Sequence, residues 1–181
     1  MMTDRHKPKA CFADQAAATQ AVEMVIPLML QGMQQEKTGD SGFLYIVMMD
    51  PSSNSAIDDF ESSILYEHAL GDPDKWDADY ASFARSKARI SWRTGRDGHS
   101  VRVGSPHLLR DDDSGIWGSV CIEGIVVGVS GGFPWYDEAI AACVAHCFKA
   151  IVKERALAEP EAPFLLSGTE QHNASDKRHR L

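Results

Sequence analysis

A glycine-rich corner lies between an apolar segment and an amphipathic segment in the last third of the chain. Residues 124–132 read GIVVGVSGG, and FPWYDEAIAACVAHC follows directly. Gly128, Ser130 and Gly132 satisfy the G-x-S-x-G pattern of a serine hydrolase elbow. The Gly-Lys-Ser/Thr ending of a Walker loop and the G-x-G-x-x-G spacing of a dinucleotide site are both missing here. The corner could therefore present a nucleophile, hold an anion on its amides, or only turn the chain.

The residue types at this corner favour a turn over a nucleophile. The amides of Gly131 and Gly132 precede a predicted helix start, where the helix dipole also favours an anion. The alternative is that both glycines only permit backbone angles that other residues avoid. A hydrolase that uses Ser130 would need an acid and a histidine downstream, within a large parallel sheet. Three histidines follow, one in the last helical segment and two near the chain end, but no further strand pattern remains.

Basic side chains are concentrated in one stretch of a chain whose formal net charge is −8. They are Arg85, Lys87, Arg89, Arg93, Arg96, Arg102 and Arg110. Asp97 is the one acidic residue among them, and the acidic run 111–113 follows directly. Arginine forks suit a small anion that carries carboxylates. Pairing with the acidic run, on a solvated helix face, is the other interpretation.

Histidines and methionines offer ligands for a haem iron. His68, His99 and His107 lie away from the last helical segment, and Met48 and Met49 end an apolar run. Each could be an axial ligand. A lone histidine is more often a hydrogen-bonded structural residue, and no spacing in the chain specifies a pair of ligands.

The four cysteines, at positions 11, 121, 143 and 147, form no C-x-x-C pair, which indicates reduced thiols in a cytoplasmic protein. Cys143, His146 and Cys147 have the spacing of neighbours on one helix. Both cysteines of this trio fall within an apolar stripe, where a free cysteine packs as a small hydrophobe. No second ligand pair with zinc-like spacing accompanies them. The pattern therefore favours core packing.

Apolar periodicity divides the chain into helices and strands. It predicts helices over 14–33, either kinked or divided at Pro27, over 75–92, and from Pro134 to about 157. Short apolar or β-branched runs predict strands at 43–49, 62–70, 101–103, 117–122 and 125–130. Because the strands are joined by short turns, this order indicates an α+β domain in which helices cover an antiparallel sheet.

Length and composition fit one globular domain. The chain has 181 residues, of which 44% are hydrophobic and 24% charged. We expect a flexible N-terminus at 1–13, a single domain at 14–157 and a disordered polar tail at 158–181, where the periodicity is lost. The acidic charge argues against a nucleic-acid partner. No apolar run approaches the roughly 20 residues of a membrane span, which argues against a membrane partner.

Two segments resemble the haem-degrading family, which includes HbpS-like and GlcG-like proteins and the C-terminal domain of PduO-type proteins. In FARSKARISW, Lys87 and the alanine after it are similar to a helical Lys-Ala element of that family. In SGIWGSVCIEGIVVGVSGGFPWYDEAIA, the glycines, the Val-Ser-Gly strand end and the aspartate opening the last helix are similar to the family pattern. The matching positions are Gly115, Gly124, Gly128, Val129, Ser130, Gly131 and Asp137. The usual Gly-Gly-x-Pro-Ile approach is replaced by residues 114–117, which read SGIW.

This resemblance implies a five-stranded antiparallel sheet with flanking helices, profilin-like in outline, in a symmetric homo-oligomer. Some members of the family bind haem, and haem degradation has been attributed to some. The leading hypothesis is therefore a cytoplasmic haem-binding protein, with haem degradation as a further activity. The residues assigned to haem are Arg85, Lys87 and Arg89 for the propionates, His68 or His107 for the iron, and Ser130, Gly131 and Gly132 beside the pocket.

The alternative is a non-catalytic oligomeric module that binds a small carboxylated metabolite or a protein partner. In that case the Gly131–Gly132 corner, together with Arg93 or Arg110, would matter most. An esterase that uses Ser130 is a third hypothesis. The sequence leaves the haem protein and the binding module both open.

Overall fold

A computed structural model of the chain describes residues 10–35 and 37–159. The main elements are helix α1 (Gln15–Gln34), strands β1 (Leu44–Met49) and β2 (Ile64–Leu70), helices α2 (Tyr80–Thr94) and α3 (Gly98–Gly104), strands β3 (Ser119–Ile122) and β4 (Ile125–Ser130), and helix α4 (Pro134–Ala158). The strands form one antiparallel sheet in the order β2-β1-β4-β3. The α+β class is therefore confirmed, but the described residues contain four strands rather than the expected five.

Helices cover both faces of the sheet and create two apolar clusters. Side chains alternate along a strand, so consecutive residues of β1 face opposite helices. Ile46 and Met48 belong to the larger cluster with α1 and α4, whereas Val47 and Met49 belong to the smaller cluster with α2. Both faces of β1 and β4 are thus buried, which explains why their sequences read as continuous apolar runs.

The missing fifth strand was expected at residues 101–103, which form part of helix α3 instead. Val101 is fully buried, whereas Val103 is 69% exposed. The buried positions of this segment are Gly98 and Val101, three residues apart, which is the period of a helix rather than of a strand. A run of three residues is too short for two β-branched side chains to specify the strand.

The start of α2 and the effect of Pro27 on α1 also differ from prediction, each for a local reason. Helix α2 begins at Tyr80 rather than at residue 75, because the Asp79 side chain accepts a hydrogen bond from the Ser82 amide and caps the helix there. Of the two expectations at Pro27, the division of the helix is wrong, because α1 continues through Pro27 to Gln34. Pro27 lies on the exposed side of α1, so water can satisfy the carbonyl that loses its helical partner.

The expected flexible N-terminus and polar tail fall almost entirely outside the described residues. Only residues 10–13 of the first and 158–159 of the second are described. Within 10–35 and 37–159, none of the helices combines the length and the apolar character that crossing a bilayer would need.

Candidate functional site

A buried ion pair joins the two helix layers beyond the end of β4. Lys87 lies on α2 and Asp137 in the first turn of α4, and their exposed fractions are 3% and 0%. The Lys87 Nζ lies 2.7 Å from Asp137 Oδ2. Since α2 and α4 cover opposite faces of the sheet, this pair ties the two layers together at the end of the sheet.

The corner at Gly131 and Gly132 holds the carboxylate of Asp137. The Gly132 amide donates to Asp137 Oδ1 over 2.8 Å, and the Gly131 amide acts with it to lower the pKa of this carboxyl. The corner thus holds an anion on its amides, as one interpretation of the sequence proposed. That anion belongs to the chain itself, so the corner is not free for a ligand.

Ser130 lies in the same closed cluster and is 5% exposed. The Lys87 Nζ donates to Ser130 Oγ over 3.2 Å, to the Val129 carbonyl over 3.0 Å, and to Asp137. These three bonds use all the ammonium protons, so Lys87 has no lone pair with which to activate the serine. Among the described residues, no histidine contacts Ser130 in its place. The geometry therefore does not support a nucleophilic Ser130.

Asp137 makes the stability of this cluster depend on pH. Burial raises the pKa of Asp137 from 3.8 to about 6, against the opposing effects of Lys87 and the glycine amides. The folded protein therefore binds this proton more tightly than the unfolded chain, and the resulting stabilisation is lost as the pH rises through 6. Between about pH 4 and pH 6, we expect the free energy of unfolding to fall by about 2 kcal/mol through this group. Urea unfolding at a series of pH values measures the change.

Asp137→Asn is the matched control for this pH dependence, because it keeps the shape of the side chain and removes the titration. The contribution assigned to Asp137 should be absent from the variant over the same pH range. An NMR titration of the Asp137 carboxyl carbon gives the midpoint directly. A midpoint below about pH 4, where a solvated aspartate titrates, would show that burial does not raise the pKa.

The arginines expected to bind propionates are paired with carboxylates of the protein. Arg85 donates from Nε and from Nη2 to the two carboxylate oxygens of Glu67 on β2, over 2.7 Å each. Arg89 lies 3.5 Å from Glu61 and holds its guanidinium 4.7 Å from the centre of the Phe60 ring. Each arginine therefore has an anionic partner already.

The surroundings of these arginines are also poorly suited to an anion. Arg85 and Arg89 line a polar cleft of about 370 Å³ together with Glu61, Asp79 and Asp112. Three carboxylates against two guanidinium groups give the lining a negative balance, which repels a carboxylate ligand. Arg93, further along the basic stretch, is also paired within the chain, since it binds Asp113 of the acidic run.

The two histidines assigned to the iron lie on different parts of the fold. His68 lies on β2, where its Nδ1 is 3.2 Å from the Oη of Tyr66. Because Glu67 reaches α2, its neighbour His68 faces the side of the sheet that α1 and α4 cover. His107 is exposed in a short turn after α3. With Arg85 on the α2 side and Lys87 inside the protein, the residues assigned to haem do not surround one cavity and do not fit haem as one site.

An apolar groove of about 380 Å³ lies between the last turns of α1 and the first turns of α4. Its lining residues are Leu28, Gln31, Gly32, Gln35, Lys37, Thr38, Tyr136, Ala139, Ile140 and Cys143. Leu28 is 54% exposed there, although it is a large apolar side chain. A concave site that is mostly apolar and carries a few polar groups is the usual form of a small-molecule site.

Little in the sequence predicts this groove. Leu28 falls outside the apolar stripe predicted for α1, and residues 35–38 read only as a polar loop. Nothing in the spacing connects residues 28–38 with residues 136–143, which meet because α1 and α4 pack side by side. The one local signal is an apolar leucine on the polar side of an amphipathic helix.

Comparison with models of protein families finds no match, and comparison with curated proteins finds none either. Among solved structures, the chain is similar to protein ORFY from Klebsiella pneumoniae, a crystal structure described with the family model DUF336. The two share 16% identity over 83% of this chain and 98% of that one, with a TM-score of 0.49. A likeness of this size shows neither membership of that family nor a shared ligand or activity.

Proposed function

We propose that this protein binds a small apolar molecule that carries a carboxylate, and that the groove between α1 and α4 is the binding site. The observation that carries the proposal is the groove itself, about 380 Å³ of mostly apolar lining that remains open beside a well-packed core. Burying the apolar part of a ligand against Leu28 and Ile140 would contribute roughly 25 cal/mol for each Å² removed from water.

The polar side chains of the groove would select the charge of the ligand. Lys37 and Thr38 follow α1, and Lys37 is exposed, so its ammonium can turn towards a bound carboxylate. Gln31, in the last turn of α1, and Gln35, directly after this helix, offer both donors and acceptors. Within this lining Lys37 is the one charged side chain, which favours an anionic head on an apolar body.

Haem is an apolar ring with two carboxylates and therefore belongs to this ligand class. Tyr136 and Cys143 are the lining residues of types that can ligate a haem iron, since neither His68 nor His107 lines the groove. Binding and degradation of haem stay predictions, and the proposal does not depend on them. Haemin is therefore one of the probes for the groove rather than its assigned ligand.

The homo-oligomer also stays a prediction. Stacked Phe133 and Trp135, with ring centres 5.2 Å apart, lie exposed at the start of α4 close to the groove. Exposed aromatic side chains of this kind are common in contacts between proteins. A partner on this surface would leave the groove lining of Leu28 and Ile140 in place.

Filling the groove is expected to abolish ligand binding. Ala139 is exposed on α4 and lines the groove, so Ala139→Trp places an indole where the ligand would lie. We expect this variant to bind decanoate at least about tenfold more weakly than the natural sequence. Isothermal titration calorimetry with decanoate, decanol and haemin measures the effect.

Two further variants distinguish binding at one specific site from nonspecific binding. Ala150→Trp adds the same indole to an exposed position of α4 outside the groove and should bind like the natural sequence. Lys37→Gln should weaken the binding of decanoate roughly two- to fivefold, because an exposed ion pair contributes little free energy. It should leave the binding of decanol, which has no charge, unchanged. Equal binding by Ala139→Trp and Ala150→Trp would refute the groove as the site.

A further inference from the structure

Cys143 and Cys147 lie one helical turn apart on α4, and both are half-buried. Cys143 lines the groove, and both side chains pack at the margin of the larger apolar cluster. The sequence favours core packing for the two cysteines. In the structure, however, Val144 and Phe148 on the same helix are buried and the cysteines are not. Both residues therefore keep part of their surface exposed.

The spacing of the two cysteines suits a bridging ion better than a disulfide. Side chains four residues apart on a helix have Cβ atoms roughly 5–6 Å apart. A disulfide needs a Cβ separation of roughly 3.5–4.5 Å, so a bond between Cys143 and Cys147 would distort α4. Two metal–sulfur bonds of about 2.3 Å, the length found for zinc thiolates, would hold the sulfurs roughly 4.5 Å apart. Sulfurs that far apart can be reached from Cβ atoms at the spacing of an undistorted helix.

We infer that Cys143 and Cys147 form a two-coordinate site for a soft monovalent cation, Cu(I) in the first instance. Thiolates are the ligands that Cu(I) prefers. Within residues 10–35 and 37–159, no three or more His, Cys, Asp and Glu side chains are grouped to hold a metal ion. A four-ligand structural zinc site is therefore not formed by this part of the chain. The copper site does not depend on the ligand proposed for the groove, although Cys143 belongs to the copper site and also lines the groove.

The test is a titration of the reduced protein with Cu(I) under anaerobic conditions, in competition with a chromophoric Cu(I) chelator. The natural sequence should take one tightly bound ion. Cys143→Ser and Cys147→Ser should each weaken binding at least a hundredfold, since a single thiolate remains in each variant. X-ray absorption of the bound copper should give two sulfur neighbours and no nitrogen neighbour.

Cys121→Ser is the matched control, because Cys121 is also a half-buried free cysteine but lies on β3. It should bind Cu(I) as tightly as the natural sequence, and so should a variant that lacks the exposed Cys11. Thermal unfolding of every variant without copper separates loss of the site from loss of the fold. Unchanged affinity in a folded Cys143→Ser or Cys147→Ser protein, or lost affinity in Cys121→Ser, would overturn the assignment.

Discussion

Replacement of Lys87 by methionine is expected to lower the free energy of unfolding by about 3 to 5 kcal/mol. Methionine fills the same buried space on α2 but leaves the Asp137 carboxylate without its cation, 0% exposed at the start of α4. An uncompensated buried charge is among the most destabilising changes that one substitution can make. Urea unfolding followed by circular dichroism measures the loss.

Two comparisons attribute this loss to the broken pair. Lys149→Met removes a lysine that binds the exposed Glu123 near the surface and should change the free energy of unfolding by no more than about 1 kcal/mol. The double variant Lys87→Met with Asp137→Leu removes both charges and should recover most of the stability. A loss below about 1 kcal/mol for Lys87→Met alone would mean that the pair does not tie the helix layers together.

Gly131→Ala is expected to destabilise the protein by roughly 2 to 6 kcal/mol. Gly131 has a φ of +134°, which side chains rarely permit, and a Cβ there would lie 2.0 Å from the Phe43 carbonyl oxygen. Phe43 immediately precedes β1, which pairs with β4 up to Ser130. The added methyl group must therefore push apart two central strands at the end that leads into the Asp137 corner. Thermal and urea unfolding give the size of the effect.

Gly95→Ala provides the control for backbone strain alone. Gly95 ends α2 with a φ of +67°, and a Cβ at this position has open space around it. Alanine there should cost only about 1 to 2 kcal/mol, the penalty of the left-handed conformation. Equal losses for Gly95→Ala and Gly131→Ala would show that the close approach of Phe43 does not matter.

The elements with a long, clear period could be predicted from the sequence. The apolar stripe of α4 fixes its buried face, and Pro134 marks its first turn as expected. The Glu123–Gly124 turn between β3 and β4, with β4 over Ile125–Ser130, is also confirmed. These features depend on residues close together in the chain, which is why periodicity and turn chemistry are sufficient to find them.

The candidate sites depend on contacts that no local pattern contains. Lys87 and Asp137 lie 50 residues apart in sequence. The family resemblance marks both positions, but nothing in the sequence pairs them, and Lys87 is otherwise one of many cations in a basic stretch. The same stretch suggested a haem-propionate site. Its arginines meet Glu67 and Asp113 instead, because the fold places acidic side chains opposite them. The groove arises in the same way, because it lies between α1 and α4, whose contact the sequence does not predict.

The most direct test of the proposed function is amide NMR of the isotopically labelled protein during a titration with decanoate. We predict saturable shifts that cluster in residues 28–38 and 136–143 and that are absent from the Ala139→Trp variant. Shifts that centre on Arg85 and Arg89 instead would move the site to the polar cleft beside α2. That result, or the absence of any saturable shift, would contradict the groove as the binding site.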